Sequence, residues 1–385
     1  MAKNTARKIK KDYGKLAIEL NQKLGGKLEV VSKRKLETRD DWSTLYTPGV
    51  GTVSLFLAKH PKDARQYTMK KNTIAVISDG SAVLGLGNIG PIAALPVMEG
   101  KCAILKEMAN VDGIPIVLDT QDTEEIIKTV KHIAPGFGGI NLEDIGAPRC
   151  FAIEDRLKKE LPIPVMHDDQ HGTAIVVLAG LINAAKVVHK KLENLKIVVV
   201  GAGAAGRAVT LLLLKAGIKD VIVTDSVGAI VKGRAGMAPY KEELARRSNP
   251  RKIAGSVADA VSGADVIIGV SGPGTISRRH IETMAKDAIV FALANPIPEI
   301  LPEDAFNAGA CVVATGRSDY PNQVNNALAF PGIFRGALDT GVKKITDEIK
   351  LAAARKIASL VKRPSAGEIV PKVTFPGLVK AVASV

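Results

Sequence analysis

Aromatic residues are scarce in this chain: eight Phe, five Tyr and the single Trp42 make up 4% of 385 residues. With 36 glycines beside them, that balance suits tight βα turns and Val/Ile/Ala-rich buried strands rather than an aromatic binding surface. Cysteine is scarcer still. Cys102, Cys150 and Cys311 are odd in number and far apart, which excludes a disulfide framework and a CxxC metal site and points to a reduced, cytoplasmic setting. Long apolar runs are also missing. Residues 174–188 contain Asn183 and Lys186 and end at His189, short of the roughly 20 residues that cross a bilayer. The basic opening MAKNTARKIKK is followed by no apolar core, so neither a signal peptide nor a membrane partner is expected.

What is present is a globular composition, with 46% apolar and 24% charged residues, and a length that implies about two domains. Disorder is excluded as the dominant state. The net charge is +14, and residues 1–40 supply half of it through twelve Lys/Arg against five Asp/Glu. Such an excess can serve nucleic acid, a membrane surface or small anions. Here no aromatics interleave with the cations, and no zinc-finger, RRM or KH signature occurs. The N-terminus therefore reads as a solvated basic face on a helix over residues 1–30, without a nucleic-acid partner.

Beyond that helix, strands alternate with helices, the pattern of parallel sheets covered by helices. The segment TIAVISDGSAVLGLGNIG reads as a strand, a turn and a second short strand. A helix with KCAILKEMA, the strand IPIVLD, a helix over 122–133, and strands ending at GGINLED and IPVMHDD follow. A second βαβ series starts at Lys196, with later strands at 264–270, 288–294 and 310–316. The boundary is placed after Asp169, ahead of a long helix over 173–190. This gives an α/β domain over 1–169, a doubly wound domain over 170–326 and a helical segment over 327–385.

The pattern GxGxxG occurs twice, at Gly85, Gly87 and Gly90 and at Gly201, Gly203 and Gly206. Dinucleotide binding needs a strand before the loop, a helix opening inside it and an acid at the end of the next strand. The second loop meets each condition: KIVVV precedes it, RAVTLLLLKAG follows, and Asp225 ends the next strand 19 residues after Gly206. Gly201, Ala202, Gly203, Ala204, Ala205 and Gly206 thus form a candidate pyrophosphate cradle for NAD or NADP. The first loop runs into Pro91 and Pro96 with no evident βαβ unit around it, and reads as a close-approach loop lining a site.

Acids crowd two strand ends, Glu143 and Asp144 after one and Asp168 and Asp169 after another. Converging carboxylates need protonation or a divalent cation, and an all-oxygen set favours Mg²⁺ or Mn²⁺. Spacing alone is equally compatible with helix capping. A zinc pair of His167 and His171 is disfavoured by the helix start at this point and by Gly172 directly after it.

With these residues in view, the chain resembles the small bacterial and archaeal malic enzymes from about Leu45 to about Arg335. The motifs are LYTPGV (45–50), SDGSAVLGLGNIGP (78–91), LPVMEGK (95–101), GGINLEDIGAP (138–148), HDDQHGTA (167–174), GAGAAG (201–206), FALANPIPE (291–299) and ATGRSDYPNQVNNALAFPG (314–332). None decides alone; their joint order is specific. The resemblance implies oxidative decarboxylation of malate to pyruvate and carbon dioxide with reduction of NAD or NADP and a divalent metal. It implies an N-terminal substrate and metal domain, a Rossmann-like domain, C-terminal helices returning to the first domain, and a homodimer or higher homo-oligomer. By position, Tyr46 matches the general acid, Lys101 the general base, and Glu143, Asp144 and Asp169 the metal ligands. Asn295 and Asn326 match contacts to malate or the nicotinamide end.

One departure is visible. Larger malic enzymes carry an arginine for a malate carboxylate where this chain has Ala82, leaving the 85–90 loop and Asn326 as candidate holders of that group. The sequence ends at Val385, so the acetyltransferase-like extension of longer bacterial forms is not expected. For Lys101 to act as a base it must be neutral, through burial and the nearby metal charge. Asp225 should accept ribose hydroxyls and repel a 2′-phosphate, which sets NAD slightly ahead. Lys232 and Arg234 stand close enough in sequence to turn toward a phosphate. Two rival readings are a metal-dependent oxaloacetate decarboxylase, which leaves the 197–225 unit unexplained, and a non-catalytic redox-sensing or nucleic-acid-binding protein, against which Tyr46, Lys101 and the three acids speak.

Overall fold

The computed structural model describes residues 12–385. Two parallel sheets lie on either side of a central helix. The first sheet contains β1 (Thr73–Ser78), β2 (Asp112–Val117), β3 (Gly139–Leu142) and β4 (Val165–His167), in the order β2-β1-β3-β4. The second contains β5 (Lys196–Val200), β6 (Asp220–Asp225), β7 (Gly228–Ala229), β8 (Val266–Gly269), β9 (Ala288–Ala292) and β10 (Ala310–Thr315). Its order is β10-β9-β8-β5-β6-β7, parallel except for the two-residue β7. Every residue of β1, β3, β4, β8 and β9 is buried, as expected of strands covered on both faces by helices.

Both sheets reverse their strand order once, and ligand crevices of doubly wound folds open at that point, beyond the carboxyl ends of the strands. In the first sheet the reversal lies between β1 and β3; in the second, between β5 and β8. The Asp168–Val187 helix joins the two units and buries fourteen of its twenty residues. It packs against the Ala204–Lys215 and Asp347–Ser359 helices. One apolar core runs from Ile74 and Val76 of the first sheet to Ile197 and Val199 of the second, so the two units share a core.

The C-terminal helices return to the first unit. The Phe330–Thr340 helix packs on the Pro91–Ala109 helix, and Arg335 Nη1 donates to Asn72 Oδ1 at 2.6 Å. Asn183 in the central helix donates to the carbonyls of Ala358 and Ile369 at 2.8 and 3.0 Å, which pins the tail to it.

Three local readings need correction. No second strand follows β1; residues 83–87 form a turn held by one bridge between Val83 and Gly87. The first glycine loop is enclosed by a βαβ unit after all, because a helix opens at Pro91 and runs through Pro96 to Ala109 before β2. Pro91 at the first helical position lacks only an N–H that has no helical partner anyway. The central helix starts at Asp168 rather than 173. Of the predicted N-terminal helix, residues 1–11 lie outside the described part, and Tyr13–Leu24 is helical, ended by Gly25 at φ 68°.

Candidate active site

Glu143 and Asp144 follow β3, and Asp168 and Asp169 follow β4, at the mouth of the first crevice. Oxygen atoms of Glu143, Asp144 and Asp169 lie within 4.8 Å of one another. Capping does not account for them. The Asp168–Val187 helix has His167 at its N-cap and the next helix upstream has Pro148, neither with a side-chain cap bond. Asp169 Oδ2 instead accepts the Asp144 backbone N–H at 2.7 Å, tying the two strand ends together. Asp144 adopts the left-handed region at φ 54°, and its Oδ2 is buried without a hydrogen-bond partner. An orphaned carboxylate oxygen facing two further acids suits a hard divalent cation.

Burial is the largest influence on all four acids. It pushes Asp144 up to about 9, with repulsion from Asp169 and Glu143 adding to it. It pushes Glu143 up to about 7 and Asp168 up to about 6, in each case against the opposing pull of Lys101. Asp169 is raised as well. Four crowded acids that resist ionisation are the electrostatic counterpart of a cation site.

Lys101, midway along the Pro91–Ala109 helix, reaches into this cluster. Its Nζ lies 2.5 Å from Asp168 Oδ2, 2.9 Å from Glu143 Oε1 and 4.7 Å from the Phe330 ring centroid. Burial lowers its proton affinity, but Asp168, Glu143 and Asp169 together raise it further. The expected neutral lysine is therefore not set by this chain's side chains alone: the carboxylates hold the proton until another positive charge offsets them.

The second crevice supplies the glycine loop. A Cβ on Gly206 would meet Gly201 O at 1.8 Å, and one on Gly201 would meet Val270 O at 2.5 Å, so both glycines permit close packing of β5, its helix and β8. Gly203 has open space where a Cβ would stand, and the helix opens at Ala204 with no side-chain cap. Its first N–H groups are thus left to an anion, the requirement for a pyrophosphate. Gly206→Ala should destabilise the protein by about 1–3 kcal/mol by forcing the packed backbones apart. Gly203→Ala should keep the melting temperature and lose dinucleotide affinity. Thermal melts paired with NADH fluorescence titrations check both.

A cleft of about 650 Å³ joins the two crevices, and Lys101, Glu143, Asp144, Asp169, Gly203 and Asn326 are among its lining residues. Ala204, Ala205 and Asn295 line it too, as does Ala82, where the larger enzymes have arginine. Leu84 and Gly85 bring the first glycine loop to the cleft wall, and Gly85 is required there because its Cβ would lie 2.1 Å from Asn295 O. Two proposed residues stand apart. Tyr46 ends the Arg39–Leu45 helix, is 62% exposed and does not line the cleft. Asp225 ends β6 as expected, but it is engaged by cations. His171 Nε2 is engaged by Glu154 at 2.9 Å.

Sequence reasoning passed over three residues that shape the site. Asp168 is given no role by the resemblance, which assigns only its neighbour Asp169; it is the residue that holds Lys101. Gly172 makes that possible, since a Cβ there would lie 1.8 Å from Asp168 Oδ1. Glu299, 1% exposed, accepts backbone N–H groups from Ser271 and Ala294 at 2.9 Å each and so fixes the loops after β8 and β9.

Comparison with known proteins places this geometry. Residues 25–158 match the family model "Malic enzyme, N-terminal domain" and residues 170–376 match "Malic enzyme, NAD binding domain". The chain is 57% identical to an NAD-dependent malic enzyme of Geobacillus stearothermophilus, over 93% of this chain and 75% of that one. It is 46% identical to an NADP-dependent malic enzyme of Halomonas elongata, over 88% and 80%. The crystal structure of an NAD-dependent malic enzyme from Thermotoga maritima superposes with a TM-score of 0.92 at 46% identity, covering 96% of this chain and 98% of that one. This chain belongs to the malic enzyme family.

Proposed function

We infer that the protein oxidises and decarboxylates malate to pyruvate and carbon dioxide while reducing NAD or NADP, with the help of a divalent cation. The observation that carries this is a single cleft holding three convergent acids and a buried lysine on one side and a dinucleotide loop on the other. A bound Mg²⁺ or Mn²⁺ would polarise the C2 oxygen of malate, and the nicotinamide would take the hydride from C2. Glu143, Asp144 and Asp169 would hold the cation. Lys101 accepts the C2 hydroxyl proton, with Asp168 fixing its position. Asn295 and Asn326 orient malate against the nicotinamide. Tyr46, which lies outside the cleft of its own chain, is assigned the return of a proton to C3 once carbon dioxide has left, and would reach the site only from an assembled second copy or by movement of its segment. The division into 1–169, 170–326 and 327–385 follows these tasks.

The segment that carries Tyr46 supports assembly of more than one copy. Its helices leave Ile18, Leu20, Leu24, Val53, Leu55 and Phe56 exposed, an apolar face of the kind that marks an interaction surface. A homodimer or larger homo-oligomer would cover it. No helix among the described residues is long and apolar enough to cross a membrane, and the three free cysteines fit a cytoplasmic location.

Absorbance of NADH and of NADPH, followed with malate and Mn²⁺, tests the reading. Reduction of neither cofactor overturns it, and pyruvate release from oxaloacetate alone would favour a simple decarboxylase. Tyr46→Phe should slow protonation of the enol product by about 10²–10⁴-fold while Mn²⁺ still binds, and full pyruvate formation by that variant would remove Tyr46 from the reaction.

A further inference from the structure

A lone acid at the end of β6 would read ribose hydroxyls and repel a phosphate, but Asp225 is not alone. Its Oδ1 accepts from the Val227 N–H at 3.0 Å and from Arg234 Nη1 at 2.9 Å. Its Oδ2 accepts from Arg234 Nη2 at 2.5 Å and from Lys241 Nζ at 2.7 Å. A carboxylate offers about four lone-pair sites, so these four bonds use its whole capacity. Arg234 is fixed further by the Gly228 and Ala229 carbonyls at 3.1 and 3.2 Å, which locks it into the turn between β6 and β7. Lys241 stands in the first turn of the Pro239–Arg247 helix and commits one of its three protons to Asp225. Lys232 is exposed and takes no part.

These three side chains are next to the phosphate loop, because the Gly201 N–H donates to the carbonyl of Thr224, the residue before Asp225, at 2.9 Å. The adenosine ribose of a dinucleotide held at Gly201–Gly206 would arrive at this strand end. Two cations and one anion leave a local charge of +1, where the usual NAD-reading acid leaves −1. The repulsion that an isolated Asp225 would exert on a 2′-phosphate is therefore cancelled, and Lys241 retains donors for either a hydroxyl or a phosphate oxygen.

We propose that Asp225, Arg234 and Lys241 form a charge-compensated 2′ subsite that accepts both NAD and NADP, with Lys241 and Arg234 as the residues that admit the phosphate. This rests on the dinucleotide reading of the cleft and reverses the preference that Asp225 alone suggests. The test is direct binding of NADH and NADPH to the full chain, without metal or malate, by fluorescence titration. The two dissociation constants should lie within tenfold of each other. Lys241→Gln should weaken NADPH at least tenfold more than NADH, Lys241→Arg should restore the ratio, and Asp225→Asn should shift it toward NADPH. A native preference for either dinucleotide above tenfold overturns the proposal, as does equal weakening of both by Lys241→Gln in a protein of unchanged melting temperature. Binding of neither dinucleotide would instead overturn the wider reading of the cleft, and this subsite with it.

Discussion

Asp169→Asn should abolish malate oxidation and remove the thermal stabilisation expected from Mn²⁺ in the native protein, while the metal-free variant should melt no lower than the metal-free native chain. Each part follows from the position of Asp169. Its charge adds to that of Asp144 and Glu143 in a buried site, and the mutual repulsion raises both neighbours. Removing the charge relieves that repulsion in the absence of metal. Asparagine keeps an oxygen for the Asp144 N–H that Asp169 Oδ2 accepts at 2.7 Å, so no buried donor is stranded, an omission that costs about 1–3 kcal/mol. Asp169→Ala strands that donor and should melt lower, which separates the structural bond from the charge. Cation affinity should fall by more than the 10–100-fold typical of losing a partner one step removed from a metal. The native protein should gain about 2.7 kcal/mol of stability at a cation concentration of 100 Kd. An Asp169→Asn protein that still melts higher with Mn²⁺, or still oxidises malate, would remove Asp169 from the site.

The sheets and the dinucleotide loop were legible because they rest on local signals. KIVVV, GAGAAG and Asp225 fall in an order that fixes strand, turn and helix within thirty residues, and burial of β5 and β6 follows from their Val/Ile content. The first glycine loop was misread for a comparably local reason. Pro91 and Pro96 look like helix breakers, but the first is a helix start, and the Pro91–Ala109 helix continues through Pro96. Convergence was legible only through the resemblance, which groups Glu143, Asp144 and Asp169 as metal ligands. Nothing in the order of residues says that Glu143 and Asp169, 26 positions apart, meet at one crevice; that follows from β3 and β4 being neighbours. The pairing of Lys101 with Asp168 depends on a packing detail, the absent side chain of Gly172, that sequence shows only as one more glycine. Asp225 shows the same limit. Its place at the strand end was readable, whereas its engagement by Arg234 and Lys241, 9 and 16 residues later, depends on how the following turn and helix fold back.

Lys101→Arg should lower malate oxidation by about 10²–10⁴-fold, the range for loss of a positioned base, equivalent to about 3–5 kcal/mol in the barrier. Arginine retains the positive charge but not the chemistry, since a guanidinium keeps its proton at any working pH. It should therefore satisfy Asp168 and Glu143 and leave the melting temperature close to native. Lys101→Ala behaves differently. Nζ now lies 2.5 Å from Asp168 Oδ2 and 2.9 Å from Glu143 Oε1, and its removal leaves two buried carboxylates without their cation, a situation that typically costs about 3–5 kcal/mol. Protonation of Asp168 and Glu143, which burial already raises to about 6 and about 7, should absorb part of that loss, more at pH 6 than at pH 8. Decarboxylation of added oxaloacetate needs no hydroxyl proton removed, so both variants should retain at least tenfold more of that activity than of malate oxidation. Equal loss of the two activities would make Lys101 a structural counter-charge for Asp168 and Glu143 rather than a base. A fully active Lys101→Arg enzyme would do the same, because a guanidinium in that place can hold the acids together but cannot take the proton.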